Sequence, residues 1–215
     1  MIKEVNHPIL EHLVYKLRDP ETDRKEFRAT LENLGEMLGV EIARDLRTIK
    51  RTVTTVMGAE AVHEVVGEDP LIMPILRAGI PLGYGLHRVF PYADMGFIGA
   101  MRNEESETSE ATISYTTTPE EVQGKVLILA DTMIATGGSI LKTIKIIEKL
   151  EPRKIILAGA ICAQRGVDTI LGYNSDIDLY AGAIDPILDS NNYIVPGLGD
   201  AGDRCYGGKR EKFLP

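Results

Sequence analysis

Cysteine is nearly missing from this chain of 215 residues. Cys162 and Cys205 are too few for a disulfide framework, and Cys162 lies in an apolar run, so both thiols read as those of a reduced, cytoplasmic protein. Histidine is scarce as well. His7, His12, His63 and His87 show no partner spacing with each other or with the cysteines, which leaves no structural zinc site and no histidine with a catalytic role. No apolar stretch approaches the ~20 residues of a membrane span, and the N-terminus is polar and mixed in charge, unlike a signal peptide. A basic surplus is lacking too, since the formal net charge is −8. Such an acidic field argues against nonspecific binding of nucleic acid or a membrane surface. It also requires any phosphate site to be built locally, from arginines and backbone dipoles.

What remains is ordinary globular material in a regular alternation. Hydrophobic residues make up 44% and charged residues 26%, as in soluble domains, and the length fits one domain, 1–215, with ample substance for a core. Phe27, Leu31, Leu34, Leu38 and Ile42 recur at helix spacing, predicting an amphipathic helix that ends near Leu46. Gly35 and Gly39 weaken that helix and point to close contact with another element. Thr52 to Met57 is β-branched and reads as a strand; Leu71 to Leu76 is a second, despite Pro74. A helix opens at Arg77-Ala-Gly-Ile and runs to about Phe90. Further strands are expected at 95–101, 125–130, 155–161 and 177–184, with helices at 139–150 and 166–171. This alternation argues for an α/β fold with a central, mostly parallel sheet flanked by helices. Ligands of such sheets bind at the C-terminal strand edge. The segment 103–121 stands apart, with six Glu and no Lys or Arg. It reads either as a solvated linker or, through the β-branched residues of 111–118, as a hairpin arm.

The stretch Val126 to Ser139, VLILADTMIATGGS, carries the most chemistry. Val126 to Ala130 is apolar throughout, as in a strand buried on both faces, and it ends at Asp131. Thr136, Gly137, Gly138 and Ser139 follow, and then Ile140, Ile144, Ile147 and Leu150 at helix spacing. A strand turning into a helix N-terminus presents backbone N–H groups and the positive end of the helix dipole, which suits a phosphate. The glycines let the backbone approach it. Thr136 and Ser139 also read as helix caps, competing for the same N–H groups. Asp131, so placed, suits the vicinal hydroxyls of a sugar; standing alone it would read as a turn residue. Arg77, after an apolar strand and before Ala78 and Gly79, offers a planar fork for diphosphate oxygens, with a surface ion pair as the plainer reading. Gly197 to Gly202, GLGDAG, matches G-x-G-x-x-G only formally. Pro196 precedes it, 13 residues follow it, and no βαβ unit fits the dinucleotide reading. A rigid loop whose backbone reads a flat heterocycle is the alternative.

An apolar strand, an acid and ATGGS resemble the 5-phosphoribosyl diphosphate (PRPP) signature of type I phosphoribosyltransferases. Tyr193-Ile-Val-Pro-Gly-Leu-Gly-Asp-Ala-Gly-Asp-Arg204 is similar to the uracil-binding segment of the uracil phosphoribosyltransferase family. Pro74-Ile-Leu-Arg-Ala-Gly79 resembles that family's pyrophosphate turn, and Met101-Arg-Asn-Glu104 the start of its mobile arm. His7-Pro8, Leu17-Arg-Asp19 and Ala43-Arg-Asp-Leu46 also fall where that family has them. The resemblance implies a type I phosphoribosyltransferase fold with a β-arm at 103–121 and a C-terminal base-binding hood at 185–215. It implies transfer of phosphoribosyl from PRPP to uracil, giving UMP and diphosphate, with Mg2+. Catalysis would then rest on Asp200, Asp131, Arg77 and Arg102. PRPP would lie against Arg77, Arg102, Asp131, Thr132, Met133, Ile134, Ala135, Thr136, Gly137, Gly138, Ser139 and Asp200. Uracil would lie against Tyr193, Ile194, Gly199, Asp200 and Ala201, and Asp200 would hold the metal through water.

In the wider superfamily a second acid usually follows the first; Thr132 stands there in this chain, which shifts electrostatic work toward Asp200. The plainer reading of Asp200 is a loop aspartate paired with Arg204, and Asp203 with Arg204 reads as a loop-closing pair. The resemblance further implies a homodimer or homotetramer, activation by GTP and inhibition by CTP, and neither a nucleic-acid nor a membrane partner. Three rival readings are a phosphoribosyltransferase for another base, a PRPP-responsive regulator that binds nucleic acid, and a non-catalytic subunit. The GLGDAG loop argues against a purine, and the chain shows no basic run that would serve nucleic acid.

Overall fold

Strands that are apolar on both faces need cover on both sides, and this requirement sets the architecture. The structure is a computed structural model and describes residues 1–102 and 111–208. In chain order its strands are β1 (Ile2–Glu4), β2 (Thr48–Thr54), β3 (Glu60–Val66), β4 (Leu71–Leu76), β5 (Phe97–Arg102), β6 (Ala111–Thr117), β7 (Val126–Ile134), β8 (Lys154–Ala163), β9 (Asp178–Asp185), β10 (Ile187–Leu188) and β11 (Ile194–Val195). Its helices are α1 (Pro8–Arg18), α2 (Arg24–Arg44), α3 (Gly79–Val89), α4 (Gly138–Ile147), α5 (Gln164–Tyr173) and α6 (Ala201–Tyr206). A seven-stranded sheet runs in the order β1-β9-β8-β7-β4-β5-β6. All its neighbours pair in parallel except β6, which runs antiparallel to β5.

Alternate residues of the central strands divide between two cores. Ile72, Val126, Ile128, Ala130, Ile156 and Tyr180 join the side chains of α1, α2 and α3. Leu71, Met73, Leu127, Leu129, Leu157 and Leu179 join those of α4 and α5. The expected crowding of α2 is present. A Cβ on Gly35 would overlap the Leu82 carbonyl of α3, and one on Gly85 would overlap the Glu32 carbonyl of α2, so the helices touch backbone to backbone.

Four elements depart from the sequence reading. The strand expected to stop at Ala130 continues to Ile134, pairing Asp131 with Gly159 and Ile134 with Cys162 of the long β8. A ladder partner extends a strand past the point where its apolar run ends. The strand expected at Thr52 to Met57 is the hairpin β2–β3, turned at Gly58 with φ +76°. Its residues are mostly exposed, so they lack the two-sided apolar pattern of the central strands. Helix α1 carries no signal in the sequence reading; its buried face is Leu10, Leu13, Val14 and Leu17. The helix expected at 139–150 ends at Ile147 and closes in a 3-10 turn, Glu148–Leu150. Of the expected arm at 103–121, the second half supplies β6 at the sheet edge, and residues 103–110 lie outside the described residues, as do 209–215 of the expected hood.

Candidate active site

β4 and β7 pair from Leu71–Leu127 to Pro74–Ala130. Pro74 has no N–H to continue the ladder, and beyond it β4 pairs on the other side, Ile75 with Ile98 and Leu76 with Gly99 of β5. The sheet therefore opens at its C-terminal edge between the turn at 77–79 and the end of β7. One hydroxyl bridges the opening. Thr132 is 1% exposed, and its Oγ1 donates to the Ala78 carbonyl at 2.7 Å. A carboxylate at this position would set an acceptor against that carbonyl, which gives a physical reason for threonine where the wider superfamily has an acid. The hydroxyl of Thr132 is thus committed to the Arg77 turn. Asp131 beside it is half-buried, and its Oδ1 accepts from the Met133 N–H at 3.3 Å.

Past Ile134 the chain turns into α4. Gly137 is the N-cap at φ +83°, and no side chain caps the helix by hydrogen bond. A long contact of 3.4 Å from the Gly138 N–H to Thr136 Oγ1 leaves the first turn otherwise without a capping oxygen. The opening N–H groups of a helix have no intrahelical acceptor, so this turn offers donors at the positive end of the dipole. On its inner side the turn rests on α5. A Cβ on Gly137 would lie 3.0 Å from the Gly166 carbonyl, and one on Gly166 would overlap the Ala135 carbonyl. Met133 and Thr136 are half-buried, Ile134 and Ala135 buried, Gly138 exposed and Ser139 half-buried.

Arg77 follows β4 through a cis peptide to Leu76. Its Nη2 stands 3.6 Å from Asp203 Oδ1 and is a buried nitrogen with no hydrogen-bond partner among the described residues. The N-terminus of α6 comes to the same place. Asp200 caps it, Oδ1 accepting from the Asp203 N–H at 2.9 Å, and a Cβ on Gly202 would lie 3.1 Å from Asp200 Oδ1 and 3.3 Å from Arg77 Nη2. Arg77 thus meets Asp200, Gly202 and Asp203 although it lies more than a hundred positions from them in sequence. Arg102 stands at the C-terminal end of β5, in register with Ala111 of β6. Ile194 and Ala201 are buried, and Gly199, at φ +82°, is exposed. The ring of Tyr193 is exposed, while its N–H and carbonyl bond to Asp189 Oδ1 and the Asp189 N–H at 2.8 and 2.9 Å.

The expected pairing of Arg204 with Asp200 or Asp203 is replaced by another arrangement. Asp203 faces Arg77, and Arg204 donates to the carbonyls of Leu17, Leu198 (3.1 Å) and Asp19 (2.5 Å) with its guanidinium 4.3 Å from the centre of the Phe27 ring. Carbonyl oxygens at the end of α1 lack helical partners and compete successfully for its donors. Burial draws this guanidinium below its ordinary pKa, with the Asp19 carboxylate acting against that shift. Asp185 went unnoticed in sequence, and Arg18 was noted only within Leu17-Arg-Asp19, with no role. Arg18 and Asp185 form a bidentate pair at 2.7 and 2.8 Å, and Asp185 is only 4% exposed. The signal that marks Asp185 is its place at the C-terminal end of a central strand, the same rule that singled out Arg77 and Asp131.

Known proteins show the family of the chain. The sequence profile of the family described as Uracil phosphoribosyltransferase matches residues 4–208. This chain belongs to the uracil phosphoribosyltransferase family. A curated uracil phosphoribosyltransferase of Dictyoglomus turgidum is 36% identical over 209 residues, covering 97% of this chain and all of its own. A solved protein from Aquifex aeolicus superposes with a TM-score of 0.90 at 36% identity, over 96% of this chain and 98% of its own. A hypoxanthine phosphoribosyltransferase from Staphylococcus aureus gives a TM-score of 0.51 at 12% identity, over 78% of this chain and 83% of its own. That more distant likeness shows the type I phosphoribosyltransferase fold alone. Family membership was legible from the GLGDAG segment and the strand–acid–glycine turn. The fold class is as the alternation of strands and helices implied. Among the described residues no helix is long and apolar enough to cross a membrane.

Proposed function

We propose that this chain transfers the 5-phosphoribosyl group of PRPP to uracil, giving UMP and diphosphate in pyrimidine salvage. The observation that carries the reading is the convergence on one sheet edge of Asp131, the glycine turn at 136–139, Arg77 and the start of α6 at Asp200. In this reading the first-turn amides of α4 hold the monoester end of PRPP, with Met133, Ile134 and Ala135 shaping the approach. Asp131 accepts from the ribose hydroxyls and, with Asp200, favours the positive charge that grows on the ring. Arg77, whose Nη2 lacks a hydrogen-bond partner among the described residues, takes diphosphate oxygens, and Arg102 joins it from the end of β5. Uracil is read by backbone at Ile194, Gly199 and Ala201, with Tyr193 beside the base or ribose. The anomeric carbon parts from the diphosphate oxygen as it bonds to the ring nitrogen of uracil, and that nitrogen releases its proton. Alignment supplies much of the rate. The exocyclic amino group of cytosine would meet a backbone donor and be rejected.

Mg2+ belongs to the same reading. Among the described residues no cluster of three or more His, Cys, Asp or Glu forms a metal cage. The donor set instead fits the usual habit of this ion, which keeps waters and takes one or two carboxylates together with substrate phosphate. Asp200 would hold it through water, while Asp131 accepts from the ribose hydroxyls, and the ion would offset charge on the leaving diphosphate. We further propose a single domain, 1–215, with an arm at 103–121 and a hood at 185–215, assembled as a homodimer or homotetramer, activated by GTP and inhibited by CTP. Product analysis with PRPP, Mg2+ and a panel of bases, with and without each nucleotide, tests the reading. UMP and diphosphate from uracil are expected; a different nucleotide as the main product overturns the assignment.

A further inference from the structure

Among the described residues, the loop at 194–200 has no ladder to stiffen it beyond the two-residue pairing of β10 with β11. It is held by a side-chain pair from elsewhere in the fold. Arg18 Nη1 donates to Asp185 Oδ2 at 2.8 Å and to the Gly197 carbonyl at 2.9 Å, while Nη2 donates to Asp185 Oδ1 at 2.7 Å. The Gly197 N–H returns to Asp185 Oδ2 at 2.8 Å. Both backbone groups of one glycine are therefore clasped by one bidentate ion pair. Gly197 sits at φ +60°, and a Cβ there would overlap the Ile194 carbonyl, so the loop is folded tightly onto itself at the clasp. Each partner is anchored on a regular element: Arg18 ends α1 and Asp185 ends β9.

We propose that Arg18 and Asp185 are positioning residues for the base: they set the donor–acceptor register of the 194–201 backbone and thereby determine uracil affinity and discrimination without touching uracil. The inference rests on the proposed uracil reading and names what holds its specificity. A base read by side chains can be followed by rotamer changes. A base read by main chain depends on the loop being fixed beforehand, because hydrogen bonds weaken steeply with misalignment and ordering a loose loop on binding costs affinity. The guanidinium fork reaches Asp185 and Gly197 at once; a lysine carries the charge but not the fork.

Arg18→Lys and Asp185→Asn test this, each assayed well below its own melting transition. The readouts are the KM values for uracil and PRPP, the kcat/KM ratio of uracil to cytosine, and hydrogen–deuterium exchange over 194–200. Arg18→Lys is expected to raise the uracil KM about tenfold, narrow the uracil-to-cytosine ratio, leave the PRPP KM within about twofold and speed exchange in the loop. Asp185→Asn is expected to act in the same direction. Equal changes in both KM values indicate general loosening and overturn the inference. Faster exchange with an unchanged uracil KM overturns it as well. A wild-type chain that makes no UMP removes the uracil reading, and this inference with it, whatever the exchange data show.

Discussion

The turn at 134–139 takes its hydrogen bonds from its neighbours in sequence and rests on Gly166 of α5, whereas the loop at 194–200 is tied to Arg18, 179 positions from Gly197, and to Asp185. In the first, a strand ends, Gly137 takes a positive φ and a helix begins; Gly138 bonds to Thr136 and Leu141 to Gly137. In the second, Arg18 grips the Gly197 carbonyl and a buried carboxylate from across the fold, while Arg204 holds the nearby Leu198 carbonyl. In the proposed reading a phosphate asks little of its host beyond amides at a helix start, and a local turn would supply them. A flat base read by main chain, as proposed, would ask for donors and acceptors fixed in relative position, and the long-range Arg18–Asp185 pair would meet that demand.

The comparison can be broken most severely at Asp185. Asp185→Ala leaves the Arg18 charge half-buried without its partner, and chemical denaturation should register a loss of about 3–5 kcal/mol. A loss below about 1 kcal/mol would place the loop's anchor elsewhere. Next in size is Asp200→Asn, which keeps a good N-cap for α6 but removes the charge. Turnover should fall on the order of 10²-fold with modest change in uracil affinity, and full activity would take Asp200 out of the mechanism. Gly137→Ala forces a non-glycine residue to φ +83° against the Gly166 carbonyl. It should cost about 1–3 kcal/mol, seen as weaker PRPP binding with uracil binding intact; an equal loss of both would mean that the two loops are not independent. Thr132→Val leaves the Ala78 carbonyl unpaired and should cost about 1–3 kcal/mol, raising the PRPP KM, with Thr132→Ser restoring it.

The smallest effect concerns thiols. Burial raises the Cys162 thiol strongly and pushes Cys205 from 9.0 up to about 11. A thiol reagent at pH 8 should label neither in the native protein and both after unfolding. Cys205 binds its proton more tightly when folded, so its contribution to stability is complete below pH 9.0 and fades as pH climbs toward about 11. Stability that rises over that interval would contradict the burial.

The fold was legible where burial writes a pattern. The Leu71–Leu76 strand, the amphipathic α2 and the alternation of strands and helices are all visible as apolar spacing. It was only partly legible where exposure erases the pattern, as in the β2–β3 hairpin, of which a single strand at Thr52 to Met57 was read. It was illegible where a partner extends an element, as β8 extends β7 past Asp131. Within the candidate site, the Arg77 turn and the glycine turn stood out because each follows an apolar strand. The meeting of Arg77 with Asp200 and Asp203, and the clasp on Gly197, left no trace, because nothing local records which distant carbonyl a guanidinium will reach.

The sequence by itself determined the parallel sheet, the glycine turn after the Asp131 strand and the family to which the chain belongs, because these depend on periodicity and on short motifs. Only the tertiary structure decided that Thr132 bridges to Ala78, that Arg204 serves carbonyls rather than an aspartate, and that Arg18 with Asp185 fixes Gly197. Those outcomes depend on desolvation and distance, and both quantities arise only when α1, β9 and the C-terminal loop are packed together.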